Sequence, residues 1–535
     1  MTEYPEQRIY DRAPRKRTVI LFAAIVAGVI IIGLLLQAWL TRAIRNKLEV
    51  AVVELCATVD PITPPRISVN VLAGRVSISG LRLIPDTTCA EARLKVTGSV
   101  DTITVHGVSL WKLLRQGSID VSEVILCTTD ITVQLASVQD SPAKVQPAAA
   151  AQRTFLVDRF SFTLRNTRLI SANMDTVSNT LIHLQGDGFT DTPRPNGTGS
   201  SRSLAHYHID LQGLVAHFAN GYRCTVLTGT TASGEDLLLR GLSIAPRIGL
   251  QPFSDALELE TDVIEAAFDS MELIAFNMND AINNGVFAMR GLALRGGKII
   301  VQRDKTKPDE PFKKKPLISS LLRALPIGSG ADSVVIERLD VVYREQVDAA
   351  RGYASVPFHQ ISGTITGARN TIGSDTLRLH ASCSVFDGSP VSMSLTAALR
   401  DSSDGFTVEA SIGPLSFAAL DQATGPLLDV RAESGIMDTL HLHMAGNDDR
   451  ASGTVRMRYT DLRVFSGTRS TTTNKDKLLT VVLNTVIKKK DRPKAGDLNE
   501  AFTVERRKDR AVFNYLWSGL REGTKATLLP NFLSP

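Results

Sequence analysis

The sequence predicts a mainly β protein: an elongated, curled antiparallel sheet with a groove-like apolar face, internally duplicated, set behind one N-terminal transmembrane helix and ending in a short α-helical cap. Three observations predict it. Apolar and polar residues alternate over most of the chain, the pattern of strands that are wet on one face. One uncharged run near the N-terminus is long enough to span a bilayer. A stretch of the alternating part aligns with another at a constant shift.

The chain has 535 residues, 43% of them hydrophobic and 21% charged, which excludes one small domain, wholesale disorder and a multispanning membrane protein. Sixty Lys and Arg against 55 Asp and Glu leave only +5, and aromatics are 6%, so neither an electrostatic footprint for nucleic acid nor a base-stacking platform is present; no nucleic-acid partner is expected.

Residues 1–17 read as a cytoplasmic tail. Thr18–Leu40 holds no charge over 23 residues; at 1.5 Å per residue that is ~34 Å of helix, enough for a ~30 Å hydrocarbon core. A cleaved signal peptide would carry a shorter apolar core and a small-x-small site, whereas Gln37-Ala38-Trp39-Leu40 is bulky. Arg8, Arg12, Arg15, Lys16 and Arg17 precede the run and three basic residues follow it, which favours a cytoplasmic N-terminus and export of the rest. Cys56, Cys89, Cys127, Cys224 and Cys383 are widely spaced without a C-x-x-C, against a zinc ribbon or a thioredoxin-type motif; a Cys56–Cys89 bridge is one option, and the odd number leaves a thiol over.

Residues 41–135 open with a helical continuation and then change period. Ile67, Val69, Val71, Val76 and Ile78 alternate around Ala73-Gly74, a hairpin. The same rhythm returns around Val96, Val105, Ile119, Val121, Ile131 and Val133. Residues 136–153 read as a Pro/Ala-rich linker, 154–240 complete a first repeat, 241–470 form a second, and 471–535 are a basic amphipathic tail. A shift of 168 places Ile103, Ile119, Leu126, Ile131 and Val133 on Met271, Phe287, Leu294, Ile299 and Val301, and a shift of 179 places Leu156-Val157-Asp158-Arg159 on Val335-Ile336-Glu337-Arg338; the halves start near Gly80 and Gly241. About 30 strands at ~4.8 Å each would be too wide for one flat sheet, so the expectation is a gutter, apolar inside and polar outside. Val69, Val71, Ile119, Val121, Ile131 and Val133 are its candidate lining.

From Lys475 the chain carries thirteen Lys and Arg against seven Asp and Glu, a net +6. Leu478–Lys490 reads as a helix ending in three lysines. In Ala511–Glu522, Phe513, Leu516, Trp517 and Leu520 fall at i, i+3, i+4 and i+7, the stripe of an amphipathic helix and the candidate cap, docked on the sheet or lying on a membrane or partner.

No G-x-S-x-G, Walker A, G-x-G-x-x-G or H-E-x-x-H occurs, so no catalytic, cofactor-binding or metal residue is predicted and the protein is read as no enzyme. Gly186-Asp187-Gly188 lacks the third glycine and reads as a turn. His206/His208 and His441/His443 would each point to one face of a strand, a geometry a metal can use, yet they read as ordinary strand residues; Asn447-Asp448-Asp449 reads as a hairpin turn.

Residues 18–135 resemble the AsmA-like family of bacterial envelope proteins. The resemblance rests on the hairpin Leu72–Leu81, the strand Ala92–Val96, and Val108–Ile119 with Trp111 and Gly117 leading into Val121 and Ile131-Thr132-Val133; Phe513–Lys525 is similar to the C-terminal element of some members. In the second repeat Asn283-Asn284 replaces Arg115-Gln116 and the Trp is missing. The resemblance implies an inner-membrane anchor through residues 18–40, the bulk in the periplasm, and a β-groove handling phospholipid or another acyl-chain lipid for outer-membrane homeostasis. The alternative is a periplasmic scaffold or assembly factor that binds outer-membrane or other envelope proteins.

Overall fold

The computed structural model describes residues 37–49, 52, 57–71, 73–85, 94–108, 119–135, 154–194, 200–231, 236–325, 328–370, 375–467, 484 and 500–528. Strands dominate them. The apolar run before residue 37, the Leu478–Lys490 helix apart from Asn484, Trp111, and Cys56 and Cys89 lie outside this set. Among the described residues no helix is long and apolar enough to cross a membrane. Cys127, Cys224 and Cys383 are free thiols. The described residues divide between unit 1, within Met1–Ala172 and Gly186–Ser200, and unit 2, within Asn173–Gln185 and Ser201–Pro535.

Unit 1 contains β1 (Ala57–Val59), β2 (Arg66–Asn70), β3 (Arg75–Pro85), β4 (Leu94–His106), β5 (Ile119–Leu135), β6 (Phe155–Arg165) and β7 (Arg168–Ile170). The hairpin at Ala73-Gly74 forms as the alternation predicts, Val69 pairing with Val76 and Ile67 with Ile78. β3, β4 and β5 follow in antiparallel order, but β6 and β7 then run parallel to β5. The helical stretch 37–49 leads into the core of this unit: Leu48 and Val52 pack with Leu81, Leu83, Val100 and Ile131. An amphipathic turn of helix thus covers the apolar face of a sheet whose other face alternates polar, the arrangement that removes most apolar area from water.

β8 (Thr176–Ser178), β9 (Leu181–Pro193) and β10 (Ser200–Ser203) come next in the chain, followed by the strands of unit 2: β11 (His206–His217), β12 (Tyr222–Thr231), β13 (Leu237–Pro246), β14 (Asp262–Ile274), β15 (Phe287–Arg295), β16 (Lys298–Asp304), β17 (Ser329–Gln346), β18 (Ala354–Arg369), β19 (Thr376–Val385), β20 (Ser389–Ala398), β21 (Phe406–Ile412), β22 (Leu415–Ser416), β23 (Val430–Gly446), β24 (Arg450–Ser466) and β25 (Glu500–Glu505). Each pairs with the next in antiparallel order except at two places: β15 and β16 lie in tandem against β14 on one side and run parallel to β17 on the other, and β21 and β22 lie in tandem against β23. The sheet is therefore mixed, which corrects the antiparallel expectation. Alternation fixes which face a residue takes but not strand direction, and the segments 136–153 and 305–328 are long enough for the crossover that a parallel step needs.

The repeat is legible in the hydrogen-bond register. Ile103 pairs with Leu126, and 168 residues later Met271 pairs with Leu294; Val96 pairs with Val133, and Ile264 with Val301. The first ladder slips between Ser99 and Thr102, and the second is interrupted between Ala267 and Ser270, the same place. Gly80 and Gly241, both with φ near +65° (67° and 62°), sit at equivalent places inside β3 and β13, since Leu81 pairs with Val100 and Leu242 with Phe268. The alignment at 179 is corrected. Val124 pairs with Phe160 and Leu292 with Val334, so the parallel strands correspond at 174, and Ser161 rather than Leu156 is the counterpart of Val335.

Candidate functional site

Residues opposite one another in a ladder share a face, so register identifies rows that run across strands. In unit 2 one row passes through Leu237, Leu273, Leu292, Val334, Ile365, Leu379, Leu395, Val408 and Met444 and on through Gly453 to Phe502. Its neighbour, two residues along each strand, passes through Leu239, Met271, Leu294, Ile336, Gly363, Ala381, Met393, Ala410, Leu442 and Val455. No charged or hydroxyl side chain interrupts either row between β13 and β24.

Cover divides these rows in two. From β13 to β17 all their members, Leu237 and Leu273 to Val334 and Ile336, are half-buried, as expected where cross-strand neighbours alone shield a side chain. From β20 onward Leu395, Val408, Leu442, Met444 and Val455 are buried. There Ile318 and Leu322 of the helix Ile318–Arg323, with Leu516 of the C-terminal helix Val512–Leu528, pack on the rows, joined by Tyr515 and Phe502.

The C-terminal helix docks through a face different from the predicted stripe. Tyr515, Gly519, Gly523 and Thr527 are its buried residues. A Cβ on Gly523 would stand 2.3 Å from Val455 Cγ2, and one on Gly519 would stand 2.9 Å from Met444 Sδ, so the two glycines let the helix axis approach the sheet. Of the predicted cap residues, Leu516 and Leu520 flank this contact and pack on the core, whereas Phe513 and Trp517 are 46% and 48% exposed. The Phe513 ring rests near Tyr343, centroids 5.7 Å apart.

Two ion-pair clusters fix the segment entering this helix. Arg510 donates to Glu260 and Asp309, both at 2.7 Å, and Glu260 also accepts from buried Arg303 at 2.5 Å, which reaches Asp262 at 3.0 Å. Burial alone would lower the Arg510 guanidinium, but its bonds to Glu260 and Asp309 hold it above its ordinary value. Asn447–Asp449 forms the turn between β23 and β24, and its Asp448 accepts from Arg506 and, at 2.7 Å, from Lys314. Burial pushes the Tyr515 hydroxyl up to about 12 and raises the Cys224 and Cys383 thiols, so none of these is an activated nucleophile.

The candidate lining residues of unit 1 fall in different surroundings. Ile131 and Val133 belong to the cluster that Leu48 and Val52 close. Val69 and Val121 are buried, Val121 beside Val157 of β6, and Val71 and Ile119 are half-buried.

The opposite face of unit 2 is polar, and there a trough of about 850 Å³ opens. Two rows line it: Thr364, His380, Ser394, Glu409, His443 and Thr454, and beside them Ser362, Ser382, Ser392, Ser411, His441 and Arg456. Sequence reasoning missed this trough because its residues come from six strands. His441 and His443 share the face, as a strand requires, while Leu442 between them is buried. His208 is bound to Asp210 at 3.0 Å and Thr231 at 2.6 Å. Among the described residues no group of three or more His, Cys, Asp and Glu side chains is placed to hold a metal ion. This trough is open and lies on the face of the sheet opposite the apolar rows, and residues of the second apolar row, Gly363, Ala381, Met393, Ala410 and Leu442, also contribute to its floor. No family model matches the chain, and no curated protein does.

Proposed function

We propose that the chain is a membrane-anchored, exported lipid-handling protein that shelters acyl chains along the apolar rows of its sheet. The observation that carries this reading is the pair of rows that cross from β13 to β24 without a polar interruption, half-buried at one end and roofed by helices at the other. A fully buried methylene gains ~0.8 kcal/mol and one laid on such a face a part of that, so an acyl chain needs contact area rather than a specific binding residue. The uncharged Thr18–Leu40 run supplies the anchor, and the resemblance of residues 18–135 to the AsmA-like family points the same way. A second reading, a scaffold for envelope proteins, draws on the polar trough, whose hydroxyl, imidazole and charged groups suit a polar partner. Photo-reactive residues at Leu292 and Ser392 of the full chain in cells test both. Lipid adducts at Leu292 and none at Ser392 are expected. Protein adducts alone at Leu292 overturn the lipid reading, and a discrete protein adduct at Ser392 favours the scaffold.

A further inference from the structure

The C-terminal helix has a second organised face. Phe513, Trp517, Arg521 and Lys525 follow one another at four-residue spacing, on the side turned away from Tyr515, Gly519, Gly523 and Thr527. All four are exposed: 46% and 48% for the aromatic residues, 53% and 49% for the side chains of Arg521 and Lys525. Glu522 lies between the cations, 3.1 Å from Arg521 and 3.0 Å from Lys525, leaving this face a net +1 within a tail of net +6.

We propose that this outward stripe docks the C-terminal cap on an anionic bilayer. Two large aromatic side chains left nearly half exposed on a helix otherwise committed to its own core, Phe513 with the Tyr343 ring beside it, are costly without a partner, and Trp in particular suits the boundary between headgroups and acyl chains. The two cations sit two turns further along the same stripe, where a helix lying in the interface presents them to anionic headgroups. Charge complementarity favours this occupant over a second copy of the chain, whose own stripe would bring like charges together. The buried glycine stripe and the ion pairs of Arg506 and Arg510 hold the helix with this face outward, so docking needs no rearrangement. The inference stands on this helix alone and survives if the apolar rows carry no lipid.

The test uses the full chain held in phosphatidylcholine nanodiscs, mixed with separate vesicles of phosphatidylcholine containing phosphatidylglycerol, and floated on a density gradient. Wild-type discs are expected to float with the anionic vesicles at least about fivefold more than discs carrying Phe513→Ser with Trp517→Ser, and the flotation is expected to fall as salt rises. Arg521→Glu with Lys525→Glu, which alters only exposed side chains, is expected to reduce it to a similar degree, so the outcome does not depend on how the serine variant folds. Flotation equal to that of empty discs, flotation unchanged in the charge variant, or flotation only with vesicles that themselves bear the chain would overturn the proposal, the last by making a second copy the partner.

Discussion

Arg510 Nη1 donates to Glu260 Oε1 at 2.7 Å across 250 residues of sequence, and that same oxygen receives Arg303 Nε at 2.5 Å. One nearly buried carboxylate therefore joins the entry of the C-terminal helix to β16. Its loss leaves the buried Arg303 guanidinium with Asp262 alone. Glu260→Ala is expected to cost about 3–5 kcal/mol, the range for breaking a buried pair by removing one partner. Urea denaturation at neutral pH measures it. A shift below about 1 kcal/mol would mean that the pair is effectively solvated.

The glycine stripe makes a graded prediction. At Gly523 a new Cβ meets the branched Val455 side chain at 2.3 Å, while at Gly519 it meets the Met444 thioether and the Phe502 ring edge, both at 2.9 Å. The deeper clash is with a side chain that is stiff at χ1, whereas at Gly519 a shift of a few tenths of an ångström relieves the contact. Gly523→Ala is expected to destabilise by about 1–3 kcal/mol, more than Gly519→Ala, as read from thermal midpoints. The reverse order would contradict the docking geometry.

The repeat positions Gly80 and Gly241 share a left-handed backbone but not their surroundings. Nothing lies within 4 Å of a Cβ at Gly80, whereas one at Gly241 meets Leu227 Cδ1 at 2.5 Å. Alanine at Gly80 is expected to cost about 1–2 kcal/mol, the left-handed penalty alone. At Gly241 it should cost more, and Leu227→Ala in the same chain should bring the cost back towards the Gly80 value, a double-mutant cycle that unfolding midpoints can close.

Acid should loosen the C-terminal helix through Asp448. Burial pushes this carboxyl up, but the hydrogen bond from Lys314 and the charges of Arg506 and Lys314 outweigh it, so its folded pKa lies below the ordinary 3.8. A depressed carboxylate contributes stability that is complete above 3.8 and is lost as pH falls through the lower folded value. Trp517 fluorescence followed down through that range is expected to report release of the helix, in a variant with Trp39 and Trp111 replaced by Phe. Asp448→Asn should be weaker at neutral pH and flatter in acid; an unchanged acid profile would remove Asp448 from the explanation.

The legible parts of this fold were those that local chemistry writes into adjacent residues. The Val69/Val76 hairpin, the ladder relation between Ile103 and Met271, and the helix around Phe513 all follow from periodicity within one or two elements. Strand direction does not, because β5 looks the same in a parallel or an antiparallel partnership, and the crossovers of unequal length after β5 and β16 move the downstream correspondence from 168 to 174 residues. The docking face of the helix was hidden for a different reason. Hydrophobicity points to Leu516 and Leu520, but the closest approach belongs to Gly519 and Gly523, which register as weak residues on any apolar scale. Rows such as Thr364 to Thr454 draw one residue from each of six strands and exist only once register is known.

The apolar rows run along the hydrogen-bonding direction, where successive strands are ~4.8 Å apart. An extended hydrocarbon chain lying on them would meet a comparable Leu, Val or Ile every few methylenes from Leu237 to Leu379, where the row is not roofed. Moving it by one strand exchanges each contact for one of the same kind, so its free energy is nearly level along the row and rises only on leaving it. If the proposed lipid role holds, such a surface would constrain where a chain lies without fixing how far along it has travelled, and the roofed end at β20–β24 would be its terminus.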